Sequence, residues 1–290
     1  MVEIPIIGAF LLGAPKCGTT WLSSALEQHP GLCVSNPKEP NEIATHKGTM
    51  FRDKREPDLN KYKKYFDGEG LKIDCSVHAF ACPEAPSRIK NNFPNAKFII
   101  CVREPVARTI SHWRMIRETE MDIRTGADWS NFEDAWSDSR LHLDTLYGHC
   151  FQNWLAYFPR NSFLILDSEF LHKKPIDALN MVCNHLEIEQ IKFDIHNIAS
   201  SNTARDRRKQ NILGRKIMTI SSRIPSFIKL PIILPLKTLG INIYNTRALT
   251  SKPTIAEIDY SYARSIISHK STKDIELFES ISGESFPHWK

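Results

Sequence analysis

The sequence lacks the features that would assign it to several special classes of protein. It has no run of the roughly 18 to 20 apolar residues that cross a bilayer, and no basic leader followed by an apolar segment and a small-residue cleavage site. It has no Cys-x-x-Cys pair of the kind that binds zinc or forms a redox dithiol. The seven cysteines are odd in number and scattered, which is typical of a reduced compartment. We therefore expect a cytoplasmic protein.

Helix-turn-helix, RNA-recognition and zinc-finger signatures are also missing, so we do not expect nucleic acid as a partner. The net charge of +5 is concentrated in one segment. Between Arg205 and Arg247 there are ten Lys or Arg residues and one acid, a local charge of +9 that leaves −4 for the rest of the chain. Such clustering favours an anionic ligand or polymer. Because the segment is also apolar, it could line a binding cleft or contact an anionic membrane surface.

Strand and helix patterns alternate along the 290 residues. The alternation predicts an α/β fold with a central parallel sheet that is covered by helices on both faces. The predicted strands are Ile4 to Leu12, Lys72 to Asp74, Lys97 to Val102 and Ser162 to Leu166. The predicted helices are Thr19 to His29, Pro83 to Asn92, Pro105 to Glu118, Leu146 to Phe158, Pro175 to Leu186 and Thr254 to Ile281.

No linker divides the chain, so we predict a single domain over residues 1–290. Residues 1–190 form its core, residues 191–253 a variable basic segment and residues 254–290 a helical C-terminal part.

A glycine-rich segment, G-A-P-K-C-G-T-T, runs from Gly13 to Thr20 directly after the first predicted strand. The spacing Gly13-x4-Gly18 is that of a phosphate-binding loop, in which backbone N–H groups point into one cavity at a helix N-terminus. In nucleoside-triphosphate hydrolases a lysine follows the second glycine, whereas here Thr19 stands there and Lys16 lies inside the loop. The segment therefore predicts a phosphate site at which ATP hydrolysis is disfavoured.

A second informative segment, C-V-R-E-P-V-A-R-T-I-S-H-W, places Arg103 at a strand end and Ser111 about two turns into the next helix. An arginine fork and a neutral hydroxyl donor suit one phosphate group. Arg103 also stands at a strand end where a nucleoside-triphosphate hydrolase would have a magnesium-binding acid, so we expect no metal site. Two phosphate-binding motifs at the ends of parallel strands fit a nucleotide that carries phosphates at both ends of its ribose.

Together these residues resemble the sulfotransferases that use 3′-phosphoadenosine 5′-phosphosulfate (PAPS). The segment G-A-P-K-C-G-T-T-W is similar to their 5′-phosphosulfate loop, and R-E-P-V-A-R-T-I-S is similar to their 3′-phosphate motif. The resemblance extends from Ile6 to about Leu186, with a weaker similarity in the last 35 residues. It implies a three-layer, P-loop-like α/β fold and metal-independent, in-line transfer of the sulfuryl group from PAPS to an acceptor hydroxyl, most simply on a carbohydrate.

The resemblance also implies roles for particular residues. The 5′-phosphosulfate would be held by Lys16, Gly18, Thr19 and Thr20, and the 3′-phosphate by Arg103 and Ser111. Lys16 would also neutralise the charge that develops on the leaving phosphate. Arg205, Arg207, Arg208 and Lys209 are candidates for a late basic loop that closes over the 3′-phosphate.

The acceptor hydroxyl needs a general base. In the carbohydrate branch of the family this base is a Glu in a segment similar to P-K-E-P-N-E, which makes Glu39 the catalytic candidate and Glu42 the reserve. Because other branches use a histidine base, His46 and His78 are also candidates. They rank below the two glutamates, since lone histidines are more often structural. The heparan-type enzymes carry a lysine where Cys75 stands, so the chain departs from their pattern at this position.

Three alternatives remain open from the sequence. A sulfotransferase of the same class could act on a small lipid, a phenol or a natural product. A P-loop kinase would consume ATP with magnesium, and a glycan-binding protein would retain the phosphate loop without catalysis.

Overall fold

The computed structural model describes residues 6–196, 198, 209–211, 250–251 and 257–289. These residues belong to two compact units. The first contains the described residues up to Trp113, those from Asp128 to 198, and those from Ile258 onward. The second contains Arg114–Ala127 together with the described residues between 209 and 257.

A five-stranded sheet forms the centre of the first unit. Its strands are β1 (Ile7–Gly13), β2 (Leu32–Val34), β3 (Leu71–Asp74), β4 (Lys97–Val102) and β5 (Phe163–Asp167). They lie in the order β2-β3-β1-β4-β5, and every neighbouring pair is parallel. Because parallel strands all end at the same edge, the residues that follow β1, β3, β4 and β5 converge there.

The central strands are buried along almost their whole length, as expected for a parallel sheet with both faces covered. From Phe98 to Val102 all residues of β4 are buried, and so are the last five residues of β1. Phe98 packs edge to face on Trp154 at 5.1 Å and on Phe158 at 4.6 Å between ring centroids. This continuous apolar pattern is the reason that both strands could be predicted from the sequence.

Ten α-helices are described. They are α1 (Thr19–Leu26), α2 (Ala85–Asn92), α3 (Pro105–Glu118), α4 (Met121–Arg124), α5 (Phe132–Ser137), α6 (Ser139–His142), α7 (Tyr147–Leu155), α8 (Ser168–Lys173), α9 (Pro175–Leu186) and α10 (Tyr260–Ser282). Short 3₁₀ helices cover Leu59–Tyr65, Val77–Ala79, Leu143–Thr145, Arg160–Ser162 and Pro287–Trp289. None of the helices in the described ranges is long and apolar enough to cross a membrane.

The helices flank the sheet. In the first unit, α1 and α9 contact each other and the strands, while α7 packs on Phe98 through Trp154 and also contacts α10. Pro105 stands at the start of α3, where the Glu104 carboxylate accepts the N–H groups of Val106 and Ala107 at 3.0 and 2.6 Å. These observations confirm the predicted α/β fold with a central parallel sheet flanked by helices.

The C-terminal helix is fixed to α7 by a buried carboxylate. Asp274 of α10 accepts hydrogen bonds from the N–H groups of Gly148 and His149, both at 2.8 Å, at the first turn of α7. A carboxylate at a helix N-terminus satisfies N–H groups that have no partner within the helix. Farther along, Trp289 stacks on Phe286 with the ring centroids 4.0 Å apart.

In the second unit, α4 follows the end of α3, and Arg117 forms an ion pair with Asp122 at 2.6 Å. A two-stranded antiparallel pairing joins β6 (Lys209–Gln210) and β7 (Thr250–Ser251). Most of the basic segment of residues 205–247 lies outside the described residues, so its predicted contact with an acceptor or a membrane surface stays a prediction.

Candidate functional site

The glycine-rich loop lies between β1 and α1 at the carboxyl edge of the sheet. Gly13 ends β1 so close to β4 that a Cβ there would come within 2.9 Å of the Cys101 backbone N and O atoms. The next residue, Ala14, donates its N–H to the Cys101 carbonyl at 3.1 Å. The close approach requires glycine at position 13, and it fixes where the loop leaves the sheet.

The loop then turns into α1 through two residues with positive φ, Lys16 at 78° and Gly18 at 85°. Gly18 is the N-cap of α1, and it has no side chain that could accept the first N–H groups of the helix. Moreover, no acidic residue lies in the first turn. The N–H groups of Thr19 and Thr20 therefore lie at a positive helix terminus that suits an anion.

Arg103 joins this loop to the end of β4. Its Nη1 donates to the Lys16 carbonyl at 3.4 Å, so the two motifs predicted to hold phosphate meet although they are 87 residues apart. The Tyr147 hydroxyl of α7 donates to the Arg103 carbonyl at 2.8 Å and accepts the Arg103 N–H at 3.4 Å. The backbone of Arg103 is thereby fixed, while its guanidinium extends toward the loop.

The thiol of Cys17 lies inside the same loop and 3.9 Å from the Tyr147 hydroxyl. Burial raises the pKa of Cys17 to about 12 and also raises that of Tyr147 well above its usual value. Both groups are consequently protonated and uncharged at neutral pH, which leaves the loop without a thiolate nucleophile. All seven cysteines are buried and free.

Arg108 contacts the glycine-rich loop from the interior of the protein and stabilises it. The sequence did not indicate this role. Its side chain is fully buried, and Nη1 donates to the Pro15 carbonyl at 3.5 Å and to His112 Nδ1 at 2.9 Å. Its Nη2 donates to Thr145 Oγ1 at 2.6 Å and to the Leu141 carbonyl at 3.2 Å. Arg108 therefore holds the loop in place, and its buried side chain is not exposed to a ligand.

Ser111, the second residue predicted to bind the 3′-phosphate, is partly exposed on α3. Its hydroxyl makes no hydrogen bond to a side chain or carbonyl of the described residues, which leaves it available to a ligand. Of the late basic candidates, Arg205, Arg207 and Arg208 lie outside the described residues, and Lys209 begins β6.

Glu39 lies in a turn that follows β2. Its carboxylate forms an ion pair with Lys38 at 3.0 Å, and both side chains are partly exposed. Ser35 Oγ donates to the Lys38 carbonyl at 2.6 Å, and the side-chain amide of Asn41 donates to the Glu39 carbonyl at 3.1 Å. Since Asn41 N–H also donates to Ser76 Oγ at 2.8 Å, the turn is attached to the chain that follows β3.

Asp74 is the last residue of β3, and its side chain is fully buried. Burial raises the pKa of Asp74 to about 6, against hydrogen bonds from Ser76 and Tyr62 that lower it, and the charge of Glu39 raises it further. The Tyr62 hydroxyl and the Ser76 N–H both donate to its carboxylate at 2.8 Å. Asp74 therefore helps to position Ser76, which in turn accepts the Asn41 N–H of the turn that carries Glu39.

The reserve base, Glu42, has a different environment. Its side chain is buried, its Oε2 accepts the Tyr65 hydroxyl at 3.2 Å, and its Oε1 lies 4.0 Å from Lys61 Nζ. The two histidine candidates are buried as well. Burial lowers the pKa of His46 to about 4 and also lowers that of His78, so both imidazoles are neutral at neutral pH.

The comparison with known families now identifies the class of protein. A family model described as a sulfotransferase domain matches residues 8–223, well over half of the chain. The chain therefore belongs to the sulfotransferase family, which confirms the family predicted from the two phosphate motifs.

Among curated relatives, heparan sulfate glucosamine 3-O-sulfotransferase 6 of Mus musculus is 28% identical over 204 residues, covering 65% of this chain and 54% of that protein. Heparan sulfate glucosamine 3-O-sulfotransferase 3B1 of Homo sapiens is 27% identical over 198 residues, covering 65% and 48%. The chain spans about half the length of these relatives.

Solved structures show the same fold. A sulfotransferase from Alicyclobacillus acidocaldarius superposes with a TM-score of 0.64 at 16% identity and covers 99% of both chains. The sulfotransferase domain of the curacin biosynthetic pathway superposes with a TM-score of 0.50 at 15% identity, covering 69% of this chain and 80% of that one. These matches confirm the P-loop-like α/β architecture.

Proposed function

We propose that this sulfotransferase transfers the sulfuryl group of PAPS to a hydroxyl of a carbohydrate. The observation that carries the proposal is the contact between Arg103 and the Lys16 carbonyl, because it brings together the two segments that we expect to bind phosphate. The carbohydrate acceptor is supported by the likeness to heparan sulfate glucosamine 3-O-sulfotransferases.

The residues present fit the donor. Gly18 adopts a left-handed conformation that exposes the N-terminus of α1, and the first turn carries no acid that would repel a phosphate. Lys16, Gly18, Thr19 and Thr20 would hold the 5′-phosphosulfate, and Arg103 and Ser111 the 3′-phosphate. When bound, PAPS supplies the sulfuryl group, and 3′-phosphoadenosine 5′-phosphate (PAP) is the product.

Three side chains of this chain would then act on the reaction. The Lys16 ammonium neutralises negative charge at the bridging phosphate oxygen. The Glu39 carboxylate removes the proton from the acceptor hydroxyl, and the Lys38 ammonium, 3.0 Å away, holds that carboxylate in place. Each of these groups lies at the carboxyl edge of the parallel sheet, where α/β folds place their ligands.

The proposal is tested with ³⁵S-labelled PAPS and three acceptors of different chemistry: a hexuronate-containing oligosaccharide, an uncharged oligosaccharide and a simple phenol. We expect labelled product with saccharides. Transfer to the phenol alone would refute the carbohydrate acceptor but leave the enzyme class intact. Failure to transfer to any acceptor, together with failure to bind PAP, would refute the function as a whole.

A further inference from the structure

The C-terminal turn Pro287–Trp289 is attached to the carboxyl end of β5. Asp167, the last residue of β5, accepts hydrogen bonds at Oδ2 from Trp289 Nε1 at 3.0 Å and from His288 Nε2 at 2.8 Å. Because an ionised carboxylate only accepts hydrogen bonds, His288 carries a proton on Nε2. The other oxygen of Asp167, Oδ1, accepts the Glu169 N–H at 2.6 Å and caps α8. One carboxylate therefore joins the end of the sheet to the C-terminal turn.

The C-terminal turn lies beside the groups that hold Arg103. The Trp289 indole is 3% exposed and packs on the Tyr147 ring, with 5.8 Å between the ring centroids. The Tyr147 hydroxyl makes two hydrogen bonds to the Arg103 backbone, at 2.8 and 3.4 Å. In the sheet, Asp167 is paired with Val102, the residue before Arg103. The C-terminal turn thus contacts both the ring and the strand end that lie next to Arg103.

The chain directly after Arg103 is not packed on every side. Within the described part of the chain, residues 104–106 line a cavity of about 290 Å³, and the Trp289 indole forms part of its wall. Groups that line a void lose the atomic contacts that a filled site would provide, so the void does not resist a shift of this segment. The position of Arg103 therefore depends on its remaining contacts, and the Tyr147 hydroxyl is among them.

We propose that the C-terminal turn positions Arg103 for the 3′-phosphate of the donor. Asp167 holds the Trp289 indole, and the indole supports the Tyr147 ring. The Tyr147 hydroxyl then fixes the Arg103 backbone. Trp289 and Asp167 are positioning residues, because they act through Tyr147 and Arg103 and not through a contact with the nucleotide. This inference rests on the proposed function and adds that recognition of the donor requires residues far from both phosphate motifs in the sequence.

The test is calorimetric titration of the full chain with PAP and with adenosine 5′-monophosphate. The ratio of the two affinities reports on the contact to the 3′-phosphate, and a loss of stability alone does not change it in the folded protein. We expect Asp167→Asn and Trp289→Leu each to lower the ratio about threefold or more, because a displaced guanidinium makes a weaker hydrogen bond. In Asp167→Asn, the side-chain oxygen can still cap α8, but the amide group cannot accept the Trp289 N–H.

Further variants separate an effect through Arg103 from any other effect. In the Arg103→Ala background, neither Asp167→Asn nor Trp289→Leu should alter the affinity ratio, because the side chain that they position is gone. Glu284→Ala is the matched control. It removes the ion pair of Glu284 with Arg160 at 3.0 Å, which is another contact of the C-terminal part, and it should keep the wild-type ratio.

A wild-type ratio in folded Asp167→Asn and Trp289→Leu, or the same decrease of the ratio with and without the Arg103 side chain, would overturn the inference. Far-UV circular dichroism shows whether each variant is folded, and if Trp289→Leu is not, Asp167→Asn alone decides between the two results. A wild type that does not bind PAP, or that binds both nucleotides equally, contradicts the proposed function and the inference with it.

Discussion

Glu39 and Glu42 are three residues apart in the sequence but have different surroundings. Glu39 is partly exposed, lies beside Lys38, and interacts electrostatically with Asp74 and His78 at the sheet edge. Glu42 is buried and accepts a hydrogen bond from Tyr65. A general base must reach the proton of a bound acceptor, so geometry favours Glu39.

We predict that Glu39→Gln lowers kcat by about 10²-fold or more, since a positioned general base contributes at least that much. The same change should leave the affinity for PAP within about twofold. Steady-state kinetics combined with calorimetry measures both quantities. Glu42→Gln is the matched control: glutamine can still accept the Tyr65 hydrogen bond, so we expect near-normal kcat. If Glu42→Gln is inactive and Glu39→Gln is active, the assignment is wrong.

At the scale of single residues, the sequence indicates Lys16, Gly18 and Arg103 as candidate phosphate-binding residues, because these residue types at this spacing are typical of phosphate binding. It does not indicate Arg108 or Tyr147. Arg108 lies in the same segment as Arg103 but its side chain is buried under the loop, and Tyr147 reaches Arg103 from a helix 44 residues away. Supporting contacts of this kind depend on packing between distant elements, and no local pattern predicts them.

The contact between α7 and α10 shows how one position can set the separation of two elements. Gly148 lies where the helices meet, and a Cβ there would come within 2.4 Å of the Asp274 carbonyl and 3.0 Å of the Phe278 N atom. These are backbone atoms of α10, so they cannot move aside as a side chain would. The hydrogen bonds from Gly148 and His149 to Asp274 need the same close approach.

Gly148→Ala should therefore lower the free energy of unfolding by roughly 1–3 kcal/mol, the usual cost of overpacking, or by more. Gly68→Ala is the control, because its added Cβ would meet Cys33 Sγ at an ordinary 3.4 Å. For that variant we expect a change within about 0.5 kcal/mol. Urea unfolding followed by circular dichroism compares the two, and equal stability of both variants would show that α10 is not packed on α7 in this way.

Among the elements, those with long and regular patterns were predicted well. The predicted bounds of β4, α3 and α9 agree with the structure, and those of β1, β3 and α1 differ by three residues or fewer at each end. The short strand β2, the helices α4 to α6 and α8, and the 3₁₀ helices were not predicted. Segments of three to seven residues carry too few apolar positions to define a period, so their structure depends on the tertiary contacts around them.

At the scale of the whole sheet, the strand order brings the candidate site residues of the described chain to one edge. The glycine-rich loop follows β1 and Arg103 follows β4, and these two strands are neighbours at the middle of the sheet. On the other side of β1, β3 ends at Asp74, next to the turn that carries Glu39. Residues from three distant parts of the sequence thus meet at one edge, as parallel α/β sheets require.

The sequence alone predicted the fold class and the meeting of the two phosphate motifs, because both depend on patterns that repeat in many proteins of this architecture. It could not predict the different surroundings of Glu39 and Glu42. Glu39 is partly exposed beside Lys38, whereas Glu42 is buried and accepts a hydrogen bond from Tyr65. Such surroundings depend on contacts between distant parts of the chain.

The most direct test of the account is a calorimetric comparison of PAP with adenosine 5′-monophosphate, which lacks only the 3′-phosphate. We predict that the wild type binds PAP at least tenfold more tightly, since a charge-assisted hydrogen bond contributes roughly 1.5–3 kcal/mol. Arg103→Ala should remove most of this preference, while Arg55→Ala, a change to an exposed arginine paired with Asp53, should retain it. Equal affinity of the wild type for the two nucleotides would contradict the central claim that Arg103 and the glycine-rich loop hold opposite ends of one adenosine bisphosphate.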